Sequence, residues 1–148
     1  MVLEGLQIKE LTPFNDHRGW LAEVIREDDS EFRPAMSYLS MTRPGLVRGP
    51  HEHREQTDYF CFIGRFTIYL WDNRKTSATY GERKVVDTKD VPVVVIVPPG
   101  IVHAYKNIDV RDALVINLPD RLYKGRGKTE PIDEIRYEDD LSSPYRIE

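Results

Sequence analysis

Polar and apolar residues alternate, or apolar runs stop abruptly at turn residues, along most of the chain. Ser37–Thr42 (SYLSMT) alternates, the pattern of a half-buried strand whose successive side chains face opposite sides of a sheet. Asp58–Asp72 (DYFCFIGRFTIYLWD) is crowded with aromatic and β-branched residues and interrupted by Gly64. That pattern predicts a hairpin or two linked strands with the glycine at the bend. Pro92–Gly100 (PVVVIVPPG) is a β-branched run closed by two prolines, which predicts a buried strand ending in a turn. Asp112–Pro119 (DALVINLP) reads as another strand stopped by proline. No segment carries the apolar recurrence of a long amphipathic helix, and Ser30–Met36 (SEFRPAM) has room for one helical turn at most. Short strands at this spacing, with ten Pro and nine Gly, predict an all-β sandwich or barrel. The residues after Leu122 are polar and are expected to loop over the surface. One domain is expected over 1–148, with 124–148 mostly irregular.

Composition narrows the classes. A chain of 148 residues has room for a real core. With 40% hydrophobic and 31% charged residues it is a folded chain rather than a disordered one. A net charge of −4 argues against general nucleic-acid binding, which needs a dense cationic face, but leaves room for an arginine cluster around one anionic ligand. The single cysteine, Cys61, excludes an internal disulfide and fits a reducing compartment. The opening MVLEGLQIKELTPF has early charges and no long apolar run, so neither a signal peptide nor a membrane span is expected, and the cytoplasm is the expected location.

Arg48–Phe60 (RGPHEHREQTDYF) places His51 and His53 one residue apart, on one face of a strand. Pro98–Asn107 (PPGIVHAYKN) has the spacing P-x-G-x-x-H-x-x-x-N around His103. This resembles the second motif of the cupin superfamily. His51-x-His53, closed by Gly64, is similar to the first. The resemblance implies a cupin-type jelly roll, a double-stranded β-helix barrel. It also opens a metal reading, in which His51, His53, Asp58 and His103 form a three-nitrogen, one-carboxylate site for iron, manganese or zinc. Metal-dependent cupins usually carry a Glu after the His pair, whereas here Glu55 comes too early and Asp58 has another spacing. The plain alternative makes Asp58 a turn residue and His53 a solvent-facing strand residue.

Four segments resemble a narrower family. Phe14–Val24 contains D-x-R-G-x-x-x-E, Val47–His51 contains R-G-x-H, Asp72–Gly81 contains D-x-R-x-x-S-x-T-Y-G, and Val97–Tyr105 contains P-x-G-x-x-H-x-aromatic. In this order they resemble the dTDP-4-dehydrorhamnose 3,5-epimerase family over roughly residues 14 to 125. The resemblance implies a homodimer without metal or other cofactor, a dTDP-sugar ligand, and a cytosolic setting in rhamnose or polysaccharide biosynthesis. In such enzymes a His removes the proton α to a keto group, a Tyr returns one from the other face, and a Lys stabilises the enolate. Carried across, His51 is the candidate base and Arg48 a diphosphate contact. Arg18 and Glu23 reach the nucleotide in the neighbouring subunit's pocket. Alone, Arg18-Gly19 could be only a turn with a surface ion pair, and His51 a satisfied core histidine. Asp72, Arg74 and Ser77 read as structural. Tyr105 shares a strand face with His103 and could stack on the ligand or belong to the core.

The chain departs from the family at three points. Thr57 stands at the Lys position, and Asn117 at that of the catalytic Tyr. The carboxylate that partners the base lies in a C-terminal extension, which the chain is expected to lack. An amide is no general acid, so Asn117 joins Arg18, Glu23, Arg48 and Tyr105 as a substrate-binding residue. The expected activity is epimerisation or keto-isomerisation of a nucleotide-linked 4-keto-6-deoxy sugar. His51 is its base, and Arg48 with His53 would stabilise the enolate. His103 would orient His51 or carry the second proton. The R-G-x-H-x-H segment also resembles the 3,4-ketoisomerases of dTDP-sugars. A non-catalytic sugar-nucleotide-binding cupin and a metal-dependent cupin are the alternatives.

Overall fold

The computed structural model describes residues 1–148. Twelve strands follow in order: β1 (Gln7–Glu10), β2 (Phe14–Asp16), β3 (Gly19–Leu21), β4 (Tyr38–Thr42), β5 (Val47–Glu52), β6 (Asp58–Ile63), β7 (Phe66–Asp72), β8 (Arg83–Asp87), β9 (Val93–Val97), β10 (Ile101–Asn107), β11 (Ala113–Asn117) and β12 (Ile135–Arg136). Two five-stranded antiparallel sheets face each other, in the orders β1-β9-β6-β11-β4 and β12-β5-β10-β7-β8, and β2 with β3 forms a separate ribbon. This is the jelly-roll architecture the sequence implied. No helix is long and apolar enough to cross a membrane.

The strongest apolar runs became β6, β7, β9 and β11, as the pattern predicts. Of the two readings of Asp58–Asp72, the linked strands are found rather than the hairpin: β6 lies in the first sheet and β7 in the second. The chain crosses between them at Gly64, whose φ of +119° suits glycine and where an added Cβ would lie 2.8 Å from Cβ of Ala113. Residues 30–36 form no helical turn. The inner positions of the sheets, among them Phe60, Phe62, Phe66, Ile68, Leu70 and Val95, pack into one core.

Both outer faces are partly covered. Val24, Ile25 and Phe32 pack on the first sheet against Tyr59 and Cys61. Tyr137, Tyr145 and Ile147 pack on the second against Tyr69 and Trp71. The C-terminal segment therefore does more than loop over the surface: β12 pairs with β5, and its aromatic residues seal one sheet. The D-x-R-x-x-S-x-T spacing is structural. Asp72 is buried and accepts from Arg74 at 2.7 Å, Ser77 at 2.6 Å and Thr79 at 2.6 Å, which satisfies a carboxylate that burial would otherwise penalise.

Candidate active site

Strand alternation builds the site. Inward positions are apolar at one end of the barrel and polar at the other. On β6 the inward row runs Asp58, Phe60, Phe62; on β11 it runs Asn117, Val115, Ala113; on β10, Ile101, His103, Tyr105. The polar end opens into a cavity of about 1370 Å³ lined by Tyr38, Arg48, His51, His53 and Tyr105, and closed over by residues between Pro119 and Glu138. Such a volume admits a nucleotide-linked sugar.

The R-G-x-H motif has a geometric cause. His51 pairs with His103 across β5 and β10, and the register shifts before Arg48 meets Tyr105. Gly49 sits at that shift with φ +88°, where a Cβ would lie 2.6 Å from the His103 carbonyl oxygen and 3.0 Å from Cα of Ala104. Only glycine allows β5 to approach so closely. The close approach brings the rings of His51 and His103 to 4.4 Å between centroids, edge to face.

Asp58 is the hub of the buried polar groups. Its Oδ2 faces Nε2 of His53 at 3.1 Å and Nε2 of His103 at 3.3 Å. Its Oδ1 accepts from Gln56 Nε2 and Asn117 Nδ2, each at 2.8 Å. Burial alone would push this carboxyl up, but His103 and His53 beside it hold it well below the ordinary carboxylate range. His53 donates from Nδ1 to the Asp133 carbonyl, and its other nitrogen faces Asp58. With an acceptor at each nitrogen the ring is held as the imidazolium. Burial opposes that charge, but Asp58 and the Asp133 carbonyl outweigh it and raise His53 to about 9. The carboxylate of Asp133 also accepts from the backbone N–H groups of Arg54, Glu55 and Gln56, which fixes the loop that follows.

His51 is the opposite case. Burial first, then the charges of His103 and His53, push it down to about 2, so the ring is neutral at ordinary pH. These two histidines bracket the stability profile. His53, raised above its ordinary 6.5, stabilises the fold fully below pH 6.5, and that contribution is lost as pH rises through 9. His51, lowered from 6.5, stabilises above pH 6.5, and its contribution falls away as the pH drops toward 2. The thermal midpoint is therefore expected to peak near pH 6.5 and to decline toward pH 9, with the alkaline decline absent in His53→Asn. A wild-type midpoint that holds flat or rises from pH 6.5 to 9 would contradict the charged state of His53.

His51 turns its buried Nδ1, which has no hydrogen-bond partner, toward Glu134 at 3.6 Å and Glu138 at 3.7 Å. Nε2 is then the free nitrogen of a residue that lines the cavity. This corrects the expectation that no carboxylate would partner the base. The tail supplies two, because Arg136 of β12 pairs with His51 itself and brings the flanking residues over the ring.

The remaining candidates separate. Arg48 lines the cavity and is tethered to β4 through the Thr42 hydroxyl at 3.1 Å and the Met41 carbonyl at 2.8 Å. Tyr105 lines it too, with its hydroxyl 3.4 Å from that of Ser40. Arg18 is exposed and paired with Asp16 at 2.6 Å, and Glu23 lies 3.6 Å from Arg26; neither lines the cavity of its own chain. Asn117 corrects its substrate-binding assignment. It is fully buried behind the wall, and its amide is consumed by Asp58, Tyr38 and the Tyr59 N–H. His103 is buried likewise and donates from Nδ1 to the Ile101 carbonyl at 3.0 Å. It backs His51 instead of facing the cavity. Asp58 is no turn residue but the buried first residue of β6. The ligand atoms of His51, His53 and His103 lie within 4.8 Å of one another, a spacing a metal ion could use, but both nitrogens of His53 are already matched to oxygen acceptors.

Sequence reasoning did not find Tyr38, Gln56, Glu134 or Glu138. Tyr38 carries the only chemistry-bearing phenol in SYLSMT, a strand already marked by its alternation. The two glutamates flank IRY in a polar tail, where a carboxylate gives no periodic signal.

Comparison with known proteins follows the same line. Residues 1–139 match the family described as dTDP-4-dehydrorhamnose 3,5-epimerase. A protein of Haloferax volcanii named "Probable low-salt glycan biosynthesis epimerase Agl13" is 39% identical over 126 residues, covering 82% of this chain and 81% of its own. The spore coat polysaccharide biosynthesis protein SpsL of Bacillus subtilis is 31% identical over 108 residues, 71% of this chain and 72% of that one. Among solved structures, a dTDP-sugar isomerase from Desulfovibrio desulfuricans G20 superposes with a TM-score of 0.81 at 24% identity, covering 94% of this chain and 87% of that one, a likeness of fold. The dTDP-4-dehydrorhamnose 3,5-epimerase of Sulfolobus tokodaii gives 0.69 at 26% identity over 78% and 70%.

Proposed function

The chain belongs to the dTDP-4-dehydrorhamnose 3,5-epimerase family, and on that premise we propose that it epimerises or keto-isomerises a nucleotide-linked 4-keto-6-deoxy sugar. The observation that carries the reading is the placement of His51, which lines the cavity with one nitrogen turned toward Glu134 and Glu138. His51 takes the proton α to the ketone. The imidazolium so formed closes on the two carboxylates, a charge-assisted contact that exists only after transfer. The enolate oxygen needs a fixed positive charge. Thr57 cannot offer one, whereas Arg48, which lines the cavity, can, with His53 adding to the field although both of its N–H groups are taken. Epimerisation leaves the oxidation state unchanged, so no electron carrier is required.

Arg48, Arg121, Lys124, Arg126 and Lys128 line the cavity and supply the cations a diphosphate needs. The protein is further proposed to work as a cytosolic homodimer. Leu39, Met41 and Leu114 are exposed together on the outer face of the first sheet, and Phe14, Trp20 and Leu21 on the β2–β3 ribbon. Docking that ribbon on a second copy would carry Arg18 and Glu23 to the neighbour's cavity.

The test is incubation with dTDP-4-keto-6-deoxyglucose and NMR of the product. A changed configuration at C3 or C5, or migration of the keto group to C3, is expected. An unaltered sugar, with dTDP still bound by calorimetry, would replace the reading with a non-catalytic binding protein.

A further inference from the structure

We propose that Tyr38 is the second proton carrier of this site, delivering hydrogen to the enolate from the wall opposite His51. The inference rests on the function proposed above. His51 and His103 stand on β5 and β10 of one sheet, while Tyr38 stands on β4, at the edge of the facing sheet. Tyr38 and His51 both line the cavity, so a flat enolate held between the sheets shows one face to each.

The hydrogen bonds set the direction of the phenol hydrogen. Asn117 lies directly across from Tyr38 in the β11–β4 register. Its Oδ1 accepts from the Tyr59 N–H at 3.1 Å, which fixes which way the amide points. Its Nδ2 then donates one hydrogen to Asp58 Oδ1 at 2.8 Å and the other to the Tyr38 oxygen at 3.0 Å. Tyr38 is thus the acceptor in its contact with Asn117, and its own hydrogen has no protein acceptor. That hydrogen is free to point into the cavity. Asn117, itself unable to act as an acid, serves as the positioning residue that aims one.

Other candidates fit less well. His103 is buried behind His51 on the same wall. Tyr105 is on that wall too, and its hydroxyl contacts Ser40. Tyr38 is 43% exposed, and that surface includes the cavity it lines. Desolvation pushes its phenol up to about 12, with the Asp58 charge adding to the rise and Asn117 opposing it, so the group stays protonated and ready to donate.

The steps balance. His51 accepts the C–H proton and the bonding pair moves to the carbonyl oxygen, giving the enolate. The pair returns, the carbon takes the Tyr38 proton from the other face, and the carbonyl reforms. Water in the cavity then reprotonates the phenolate and takes the proton from His51.

Tyr38→Phe removes one oxygen from a partly exposed residue, and its folding is checked by the thermal midpoint and by dTDP binding. In D2O with dTDP-4-keto-6-deoxyglucose, this variant is expected to keep exchanging the α hydrogen for deuterium through His51. Formation of the altered sugar should fall at least about 100-fold, the scale of a lost general acid. Product formation within threefold of wild type would overturn the proposal. So would a folded, dTDP-binding variant that loses exchange and product formation together. Failure of the underlying reading is distinct: wild type itself would then take up no deuterium.

Discussion

His51→Asn is expected to lower kcat/KM by about 1000-fold or more, with dTDP affinity within a few-fold of wild type. General-base catalysis by a positioned side chain contributes about 100- to 10,000-fold, and here it starts every turnover. Asparagine keeps a similar shape and polarity but cannot take the proton. The nucleotide-binding groups, above all Arg48 tethered to β4, are untouched, so the loss should fall on kcat rather than on binding. Solvent exchange of the α hydrogen should vanish with turnover, in contrast to Tyr38→Phe. A folded His51→Asn protein with turnover within tenfold of wild type would remove His51 from the mechanism.

The second large effect is at Asp58. Asp58→Asn retains the outline of the side chain but removes the negative charge between His53 and His103. Breaking one partner out of a buried ion pair costs about 3–5 kcal/mol, because the remaining charge stays buried without compensation. The loss should appear in denaturant unfolding at pH 6.5. His53 should also fall from about 9 to below neutrality, since burial would then act on it with only the Asp133 carbonyl and distant carboxylates in its favour. Histidine NMR titration reads this directly. An Asp58→Asn protein as stable as wild type, with His53 still charged at pH 8, would show that Asp58 is not the counter-ion.

Much of this fold is written in short-range pattern. The valine run of β9 and the alternation of β4 identify strands because a sheet with one buried face demands such spacing. The P-x-G-x-x-H turn placed His103 on an inward row for the same reason. What the pattern left open was long-range. Nothing local in Asp58–Asp72 distinguishes a hairpin from a crossing between sheets. The partners of His51 come from residues more than eighty positions away, delivered by a two-residue strand too short to show periodicity. β1 and β8 are partly or largely polar strands at sheet edges, where one face meets solvent and the apolar signal is weak.

The candidate site shows the same division. The histidines were legible from spacing, and so was their convergence, because i and i+2 share a strand face. The charge on each was not. His51 and His53 differ by one position along the chain, yet one is held neutral and the other charged, since only His53 meets Asp58 and the Asp133 carbonyl. Asn117 was misread because motif position suggested contact with ligand. Its inward row, however, ends beneath Tyr38, and the phenol rather than the amide reaches the cavity.

The most direct test of the central claim is deuterium uptake from D2O into dTDP-4-keto-6-deoxyglucose by protein stripped of metal with chelator, followed by NMR at C3 and C5. Catalysed deuterium entry at one of these carbons, at a rate unchanged by stripping, is the result expected of proton transfer by His51. Exchange that disappears on stripping and returns with one equivalent of a divalent metal would contradict it, and would make His51, His53 and His103 ligands.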